Sequence, residues 1–417
     1  MRDISTNFLC RLTLRKPVAA LILYGLQMHF QRRHYVHEAL FSKIVYRSFF
    51  KALIEPHKSA WVTILVPSEI LIALGLTPLM IESLGGVLGS RGLAEGFLKN
   101  SEEIGVPSSL CTFHRTHLVA ALKNVLPRPR LVVAASALCD GNLRSLQEIS
   151  YSLDSPFMFI DIPEPTSPGA IKYVREQLEH HFYRIAEHLK IKHPLERLTK
   201  TLAVVEETRK WMEVLNKSRE KLYIPQKPTG FVWNLLLHTS QLGDERTLKY
   251  YKKLCQELRK KGMEISHSKI RFLLMHLLPT YKHHAIEILK QRNGVIVMEE
   301  TSHIPWPKVD LQKPFSSMAK KILLQPMLGN GERRINVINH LCERYNIDGI
   351  IHFSHWGCRQ SSGSLSAIKR YLKRPLLNCE TDLVDAKSSS TGQVATRMES
   401  FLEMLERHHA LNPGFRQ

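Results

Sequence analysis

Along the chain, short unbroken apolar runs alternate with stretches in which apolar residues return at helical spacing. The runs in the first half are Trp61-Val-Thr-Ile-Leu-Val66, Leu131-Val-Val-Ala-Ala135 and Phe157-Met-Phe-Ile160. Those in the second half are Ile270 to His276, Gly294 to Met298, Gly349 to Phe353 and Pro375 to Asn378. A continuous run is what a strand buried on both faces needs, so these predict parallel strands. Helical spacing predicts helices over Ser68 to Leu74, Leu143 to Leu153, Glu332 to Tyr345, Leu365 to Tyr371 and Gln393 to Arg407. Strand and helix in alternation imply an α/β fold with mostly parallel sheets.

Between the two sets of strands lies a charged region, Ile171 to Lys221. Its apolar residues Ile185, Leu189, Leu195, Leu198 and Leu202 keep a helical period, which predicts a helical connection. Tyr223-Ile-Pro-Gln-Lys-Pro-Thr-Gly230 then reads as a linker. Ala19 to Lys51 reads as helix. The expected division is a helical N-terminal segment over 1–58, a first α/β domain over 59–170, a helical connection over 171–228 and a second α/β domain over 229–417. The two sheet domains are expected to be Rossmann- or flavodoxin-like and to face a central cleft. Pro17 to Leu26 is apolar but too short to span a bilayer, so no membrane segment is expected. The Arg-rich, acid-poor start leaves an organellar transit peptide as the alternative.

Composition changes this picture in two places. Lys plus Arg number 58 against 38 Asp plus Glu, a formal net charge of +20, which favours an anionic partner without choosing one. Seven cysteines, an odd number in a chain of 417 residues, argue against a secreted disulfide framework and for a reducing compartment, expected to be the cytoplasm. No Cys-x-x-Cys pair is present, so a zinc ribbon is not supported.

Three of the cysteines sit where chemistry usually sits in an open α/β sheet, outside the carboxyl ends of strands. Cys139 follows the run Leu131 to Ala135, Cys358 follows Gly349 to Phe353, and Cys111 precedes a helical pattern near His117. Ligands so far apart in sequence would have to converge from both domains. Thiolates bind zinc or iron–sulfur clusters, and three of them would leave one metal position open. The same positions are also compatible with three ordinary buried cysteines. Cys342 on an apolar helix face, Cys255 on a charged helix and Cys10 near the terminus read as structural, and Cys379 at a strand end reads as core.

At this point several motifs, in order, resemble one family. They are Val66-Pro-Ser-Glu-Ile-Leu-Ile-Ala-Leu-Gly75, Cys111-Thr-Phe-His-Arg115, Cys139-Asp140, the strand ending in Asp161-Ile-Pro163, Cys358-Arg359, and the closing stretches Arg374 to Asp382 and Ser390 to Met404. Together they resemble the subunits of 2-hydroxyacyl-CoA dehydratases and their relatives, the benzoyl-CoA reductase subunits. The resemblance implies a [4Fe-4S] cluster held by Cys111, Cys139 and Cys358 and a homologous sister subunit in a heterodimer. It further implies an ATP-dependent iron–sulfur activator protein, an acyl-CoA substrate, and loss of water from a 2-hydroxyacyl-CoA through a ketyl radical. Departures from the family pattern are Phe113-His114-Arg115 after the first cysteine and the high positive charge.

Glu69 at a helix start and His355 beside the third cysteine are the candidate catalytic residues, against simple capping and core packing. His352 is a further acid–base candidate. Gly85, Gly86 and Gly89 offer a loop that could approach phosphate, and Ser361 to Ser364 offer a helix start for an anion or a plain cap. The alternatives to a dehydratase subunit are a reductase subunit or electron-transfer relative, and, from charge alone, a basic nucleic-acid-binding protein. The last has no recognition motif in the chain and is disfavoured.

Overall fold

A computed structural model describes residues 36–411 apart from 100, 224–228, 267, 304–305 and 390. Cys10 and most of the helix expected over Ala19 to Lys51 lie outside the described residues; from Val36 the chain is helical to Ile54. The strands are β1 (Ser59–Val62), β2 (Thr77–Met80), β3 (Leu131–Ala135), β4 (Phe157–Ile160), β5 (Leu222–Tyr223), β6 (Met263–Glu264), β7 (Ile270–Met275), β8 (Gly294–Glu299), β9 (Gly349–His355) and β10 (Leu376–Thr381).

Two four-stranded sheets are parallel throughout, with orders β2-β1-β3-β4 and β8-β7-β9-β10. Each half therefore places its second strand beside its first and its third on the other side. That order creates a switch point at the carboxyl ends of the first and third strands, where two crossovers leave in opposite directions and open a crevice. The short antiparallel pair β5–β6 stands apart from both sheets.

The central strands β1, β3, β7 and β9 are buried along their whole length, as their unbroken apolar sequences require. Alternate side chains feed opposite faces. Ala60, Val62, Leu131 and Val133 enter one core, while Trp61, Val132 and Ala134 enter another. In the second sheet Phe272, Leu274 and Phe353 pack against helices His284–Gln291 and Thr391–Leu411, and Leu273, Met275 and Ile350 against Gly331–Arg344.

The charged region forms two helices, Ala170–His188 and Pro194–Ser218. These helices, with Glu245–Lys261 and Pro314–Leu323 from the later half, pack into a core of the first sheet. Three readings of the sequence differ from the structure. The first strand ends at Val62, because Val66 N–H turns back to Thr63 and the chain leaves the sheet. Strand β2 carries Pro78, which an edge strand tolerates because its missing N–H faces away from the ladder. The glycine-rich segment is not a phosphate loop but part of helix Glu82–Ser90. Its glycines let other chain segments close in: a Cβ on Gly85 would meet the Phe113 backbone at 3.1 Å, and one on Gly89 the Val384 carbonyl at 2.9 Å.

A cysteine-lined candidate site where the two sheets meet

The carboxyl ends of both sheets open onto one cavity of about 130 Å³. Ile64 follows β1, Met80 and Glu82 close β2, Cys139 follows β3, His276 follows β7 and Cys358 follows β9, and all line it. Cys111 joins them from the start of helix Thr112–Leu122. The three expected cysteines are thus brought together across both halves.

Each cysteine occupies the same local position, the residue before a helical turn. Cys111 precedes Thr112–Leu122, Cys139 precedes Asp140–Ser152, and Cys358 precedes the single wide turn Arg359–Gly363. Each carbonyl accepts an early helical hydrogen bond: Arg115 N to Cys111 O at 2.9 Å, Leu143 N to Cys139 O at 3.2 Å, and Ser361 N to Cys358 O at 3.2 Å. Backbone N–H groups of each turn also face the sulfur, those of Phe113 and His114 for Cys111, Gly141 and Asn142 for Cys139, and Gln360 and Ser361 for Cys358. None closes a formal cap hydrogen bond, but all favour a thiolate. Burial works the other way and dominates. It pushes Cys111 well above the ordinary thiol range, Cys139 up to about 11, and Cys358 upward. A metal entering the site therefore displaces protons from thiols rather than joining existing thiolates.

Each sulfur also has an imidazole beside it. His355 Nε2 lies 3.1 Å from Cys111 Sγ, His114 Nε2 3.3 Å from Cys139 Sγ, and His276 Nε2 3.9 Å from Cys358 Sγ. Burial lowers the pKa of all three rings, so they are neutral. The proton of His355 can be placed. Leu383 N–H donates to its Nδ1 at 3.1 Å, so Nε2 carries the hydrogen and directs it at Cys111 Sγ. His276 sits at φ 64, immediately after β7, and its N–H donates to Glu300 at 2.9 Å. Glu300 is gripped by Arg334 through contacts of 2.5 and 2.8 Å, and Arg334 also donates to the Gln360 carbonyl. One buried ion pair thus fixes the backbone at both His276 and the Cys358 turn.

Glu82 faces the cavity with its Oε1 3.4 Å from His114 Nδ1 and a hydrogen bond from the Asn142 side chain. Burial raises its carboxyl to about 7. The halves are held together at the same place. Arg359 pairs with Asp140 at 3.0 Å and donates to the Leu138 carbonyl at 3.1 Å, and Thr112 donates to Asp382 at 2.9 Å. Gly357, at φ 72, lies so close to the Cys111 segment that a Cβ would sit 3.2 Å from the Ser109 carbonyl.

Of the other candidates, His355 is at the site and Glu69 is not brought to it. Glu69 is buried against Lys321, which donates to it, and lines a separate small cleft with Trp306 and Met318. His352 is spent between Asn378 and Ser361, each at 3.0 Å. Ser361 is buried by that bond and by accepting the His355 N–H, so the serine run serves the fold of the turn. Cys255, Cys342 and Cys379 are buried in three different cores, away from the cavity. Sequence reading missed Glu82, His114 and His276 as site residues. A signal existed for His114, since Cys111-Thr-Phe-His114 puts a histidine one turn into the helix that the cysteine starts. Among the described residues, no three His, Cys, Asp or Glu side chains group closely enough for a single metal ion. No helix of the described residues is long and apolar enough to cross a membrane.

The family profile described as 2-hydroxyglutaryl-CoA dehydratase, D-component, matches residues 63–405, most of the chain. The chain belongs to this family, the 2-hydroxyacyl-CoA dehydratases. It is 21% identical over 374 residues to the (R)-phenyllactyl-CoA dehydratase alpha subunit of Clostridium sporogenes, covering 84% of this chain and 89% of that one. It is likewise 21% identical over 395 residues to lactoyl-CoA dehydratase subunit alpha of Anaerotignum propionicum, covering 84% and 91%.

Proposed function

We propose that this chain is the iron–sulfur subunit of a 2-hydroxyacyl-CoA dehydratase, a hydro-lyase that removes water from its thioester by a ketyl-radical route. The observation that carries the reading is the convergence of Cys111, Cys139 and Cys358 on one cavity, each at the start of a helical turn. The donor set fits a [4Fe-4S] cluster held by these three residues. A cluster spreads its thiolates over the corners of a cube and holds them farther apart than a single ion does. When bound, such a cluster supplies a one-electron carrier with one iron free of a protein ligand.

The chain's own residues do the rest. Backbone N–H groups and His355 Nε2–H stabilise the sulfur charge. Apolar side chains such as Ile64, Leu235 and Met327 keep water out of the cavity. Glu82, with its carboxyl near neutrality, is the cavity group able to hold or release a proton at Oε1 at working pH.

That the relatives are alpha subunits supports a sister subunit; in this reading the sister is homologous, the pair is a heterodimer, and an ATP-dependent iron–sulfur protein activates it in the cytoplasm. Both sheets belong to flavodoxin-like domains in this reading. The division at residues 58, 170 and 228 stands as a working one, with helices Glu245–Lys261 and Pro314–Leu323 bracing the first sheet from the later half. The test is anaerobic co-expression with the sister subunit, followed by addition of activator, ATP and 2-hydroxyacyl-CoA. Formation of the 2-enoyl-CoA supports the reading. An iron-loaded, activated complex that leaves every 2-hydroxyacyl-CoA unchanged contradicts it.

A further inference from the structure

The charge of the cavity lining bears on which acyl group can enter. Apart from the cysteines and their histidines, much of the lining is apolar, Ile64, Met80, Phe113, Leu138, Leu235 and Met327 among it, and the serine, threonine, asparagine and glutamine side chains that join them are uncharged. Among the described lining residues there is no lysine and no arginine. The one acidic side chain is that of Glu82, held in place by His114 and Asn142. Two guanidiniums neighbour lining residues without belonging to the lining. Arg334 is buried against Glu300 and the Gln360 carbonyl, and Arg359, largely exposed, pairs with Asp140 and donates to the Leu138 carbonyl.

An acyl chain that ends in a second carboxylate would thus meet a largely apolar wall, no cationic partner on that lining and the Glu82 carboxyl. A buried carboxylate without a partner is strongly disfavoured, and a nearby carboxylate adds to the cost. Sites built for dicarboxylates answer this with an arginine fork, which this lining lacks.

We propose that this site selects uncharged 2-hydroxyacyl-CoA substrates and excludes those whose acyl group carries a second carboxylate, as 2-hydroxyglutaryl-CoA does. The inference rests on the dehydratase reading given above and narrows it to one substrate class. Selectivity here comes from withholding a counter-charge, so the neutral acyl chain need make no special contact.

The experiment compares lactoyl-CoA with 2-hydroxyglutaryl-CoA on the iron-loaded complex of this chain with its sister subunit, kept anaerobic, with acetyl-CoA as the reference for the shared CoA portion. Direct binding is measured, so the result does not depend on activation. Lactoyl-CoA is expected to bind at least about 100-fold more tightly than 2-hydroxyglutaryl-CoA, the order of discrimination an unpaired buried charge produces. Supplying a cation should repair the defect. Glu82→Lys is expected to tighten 2-hydroxyglutaryl-CoA by about tenfold or more, with iron content measured alongside. If that variant fails to fold, Met327→Lys places the cation elsewhere on the same lining and is expected to do the same. Equal or tighter binding of 2-hydroxyglutaryl-CoA to the unaltered complex would overturn the inference and leave the dehydratase reading standing. If both 2-hydroxyacyl thioesters bind no better than acetyl-CoA, the dehydratase reading fails and takes this inference with it.

Discussion

At the scale of single residues, two side chains that sequence reading placed together part company. His355 directs its Nε2–H at the Cys111 sulfur, whereas Glu69 lies under Lys321. They should respond differently to substitution. A hydrogen bond to a cluster sulfur stabilises the more negative, reduced state. His355→Leu should therefore keep its iron but shift the cluster midpoint to a lower potential, which a redox titration followed by EPR would read. Glu69→Gln should leave both iron and potential unchanged. It should instead cost about 3–5 kcal/mol of stability, the usual penalty for stranding one member of a buried ion pair, seen as a lower urea midpoint. Gly357 offers a third test. Its φ of 72 strains any other residue, and a Cβ would crowd the Ser109 carbonyl at 3.2 Å. Gly357→Ala should cost about 1–3 kcal/mol and loosen the Cys111 and Cys358 segments together.

At the scale of elements, the unbroken apolar runs located five of the seven expected strands within a residue or two, because burial on both faces leaves a plain signature; the first run overshoots the end of its strand by four residues and the last stops three short. The expected helices at Leu143, Glu332, Leu365 and Gln393 fall within helices Asp140–Ser152, Gly331–Arg344, Ser364–Lys369 and Thr391–Leu411, give or take two residues. What could not be read was set by tertiary contact. Helix Glu82–Ser90 holds three glycines because Phe113, Thr280 and Val384 crowd it, and the local sequence reads as a loop. Glu82 itself gains meaning only once β2 ends at the cavity and His114 comes opposite.

The Arg334–Glu300 pair likewise joins segments with no shared motif. Burial would raise Glu300, but the Arg334 guanidinium more than offsets this and holds its carboxyl below the ordinary value. A carboxylate with a depressed folded pKa lends stability above its unfolded pKa, near 4.5, and loses it as pH falls through the folded value. Arg334→Met should cost about 3–5 kcal/mol at neutral pH, and that cost should shrink on acidification below pH 4.5 as Glu300 is neutralised.

At the scale of the whole molecule, the two halves repeat one strand order and meet at their carboxyl ends, so that closure of the fold and construction of the site are one event. The interior is also unusually rich in neutral histidine. Burial lowers His117 and His238 to about 3 and His352 to about 4, while their unfolded forms titrate near 6.5. Below that value the unfolded chain takes up protons that the folded one refuses. Each of the three should then remove up to about 1.4 kcal/mol of stability per pH unit. Urea midpoints should be flat between about pH 7 and 8 and fall steeply from about 6.5 downward. A flat profile down to pH 5 would show that these rings are not held neutral.

Everything about the site rests on the three cysteines acting as one ligand set across both halves. The direct measurement is iron per chain after anaerobic reconstitution, for the unaltered chain, Cys358→Ser and Cys342→Ser. The unaltered chain should hold about four irons, and Cys342→Ser, which changes a core residue away from the cavity, should hold the same. Cys358→Ser should lose most of its iron and its visible absorbance, even though Cys111 and Cys139 remain. Full iron in Cys358→Ser, with the loss appearing in Cys342→Ser instead, would contradict the account.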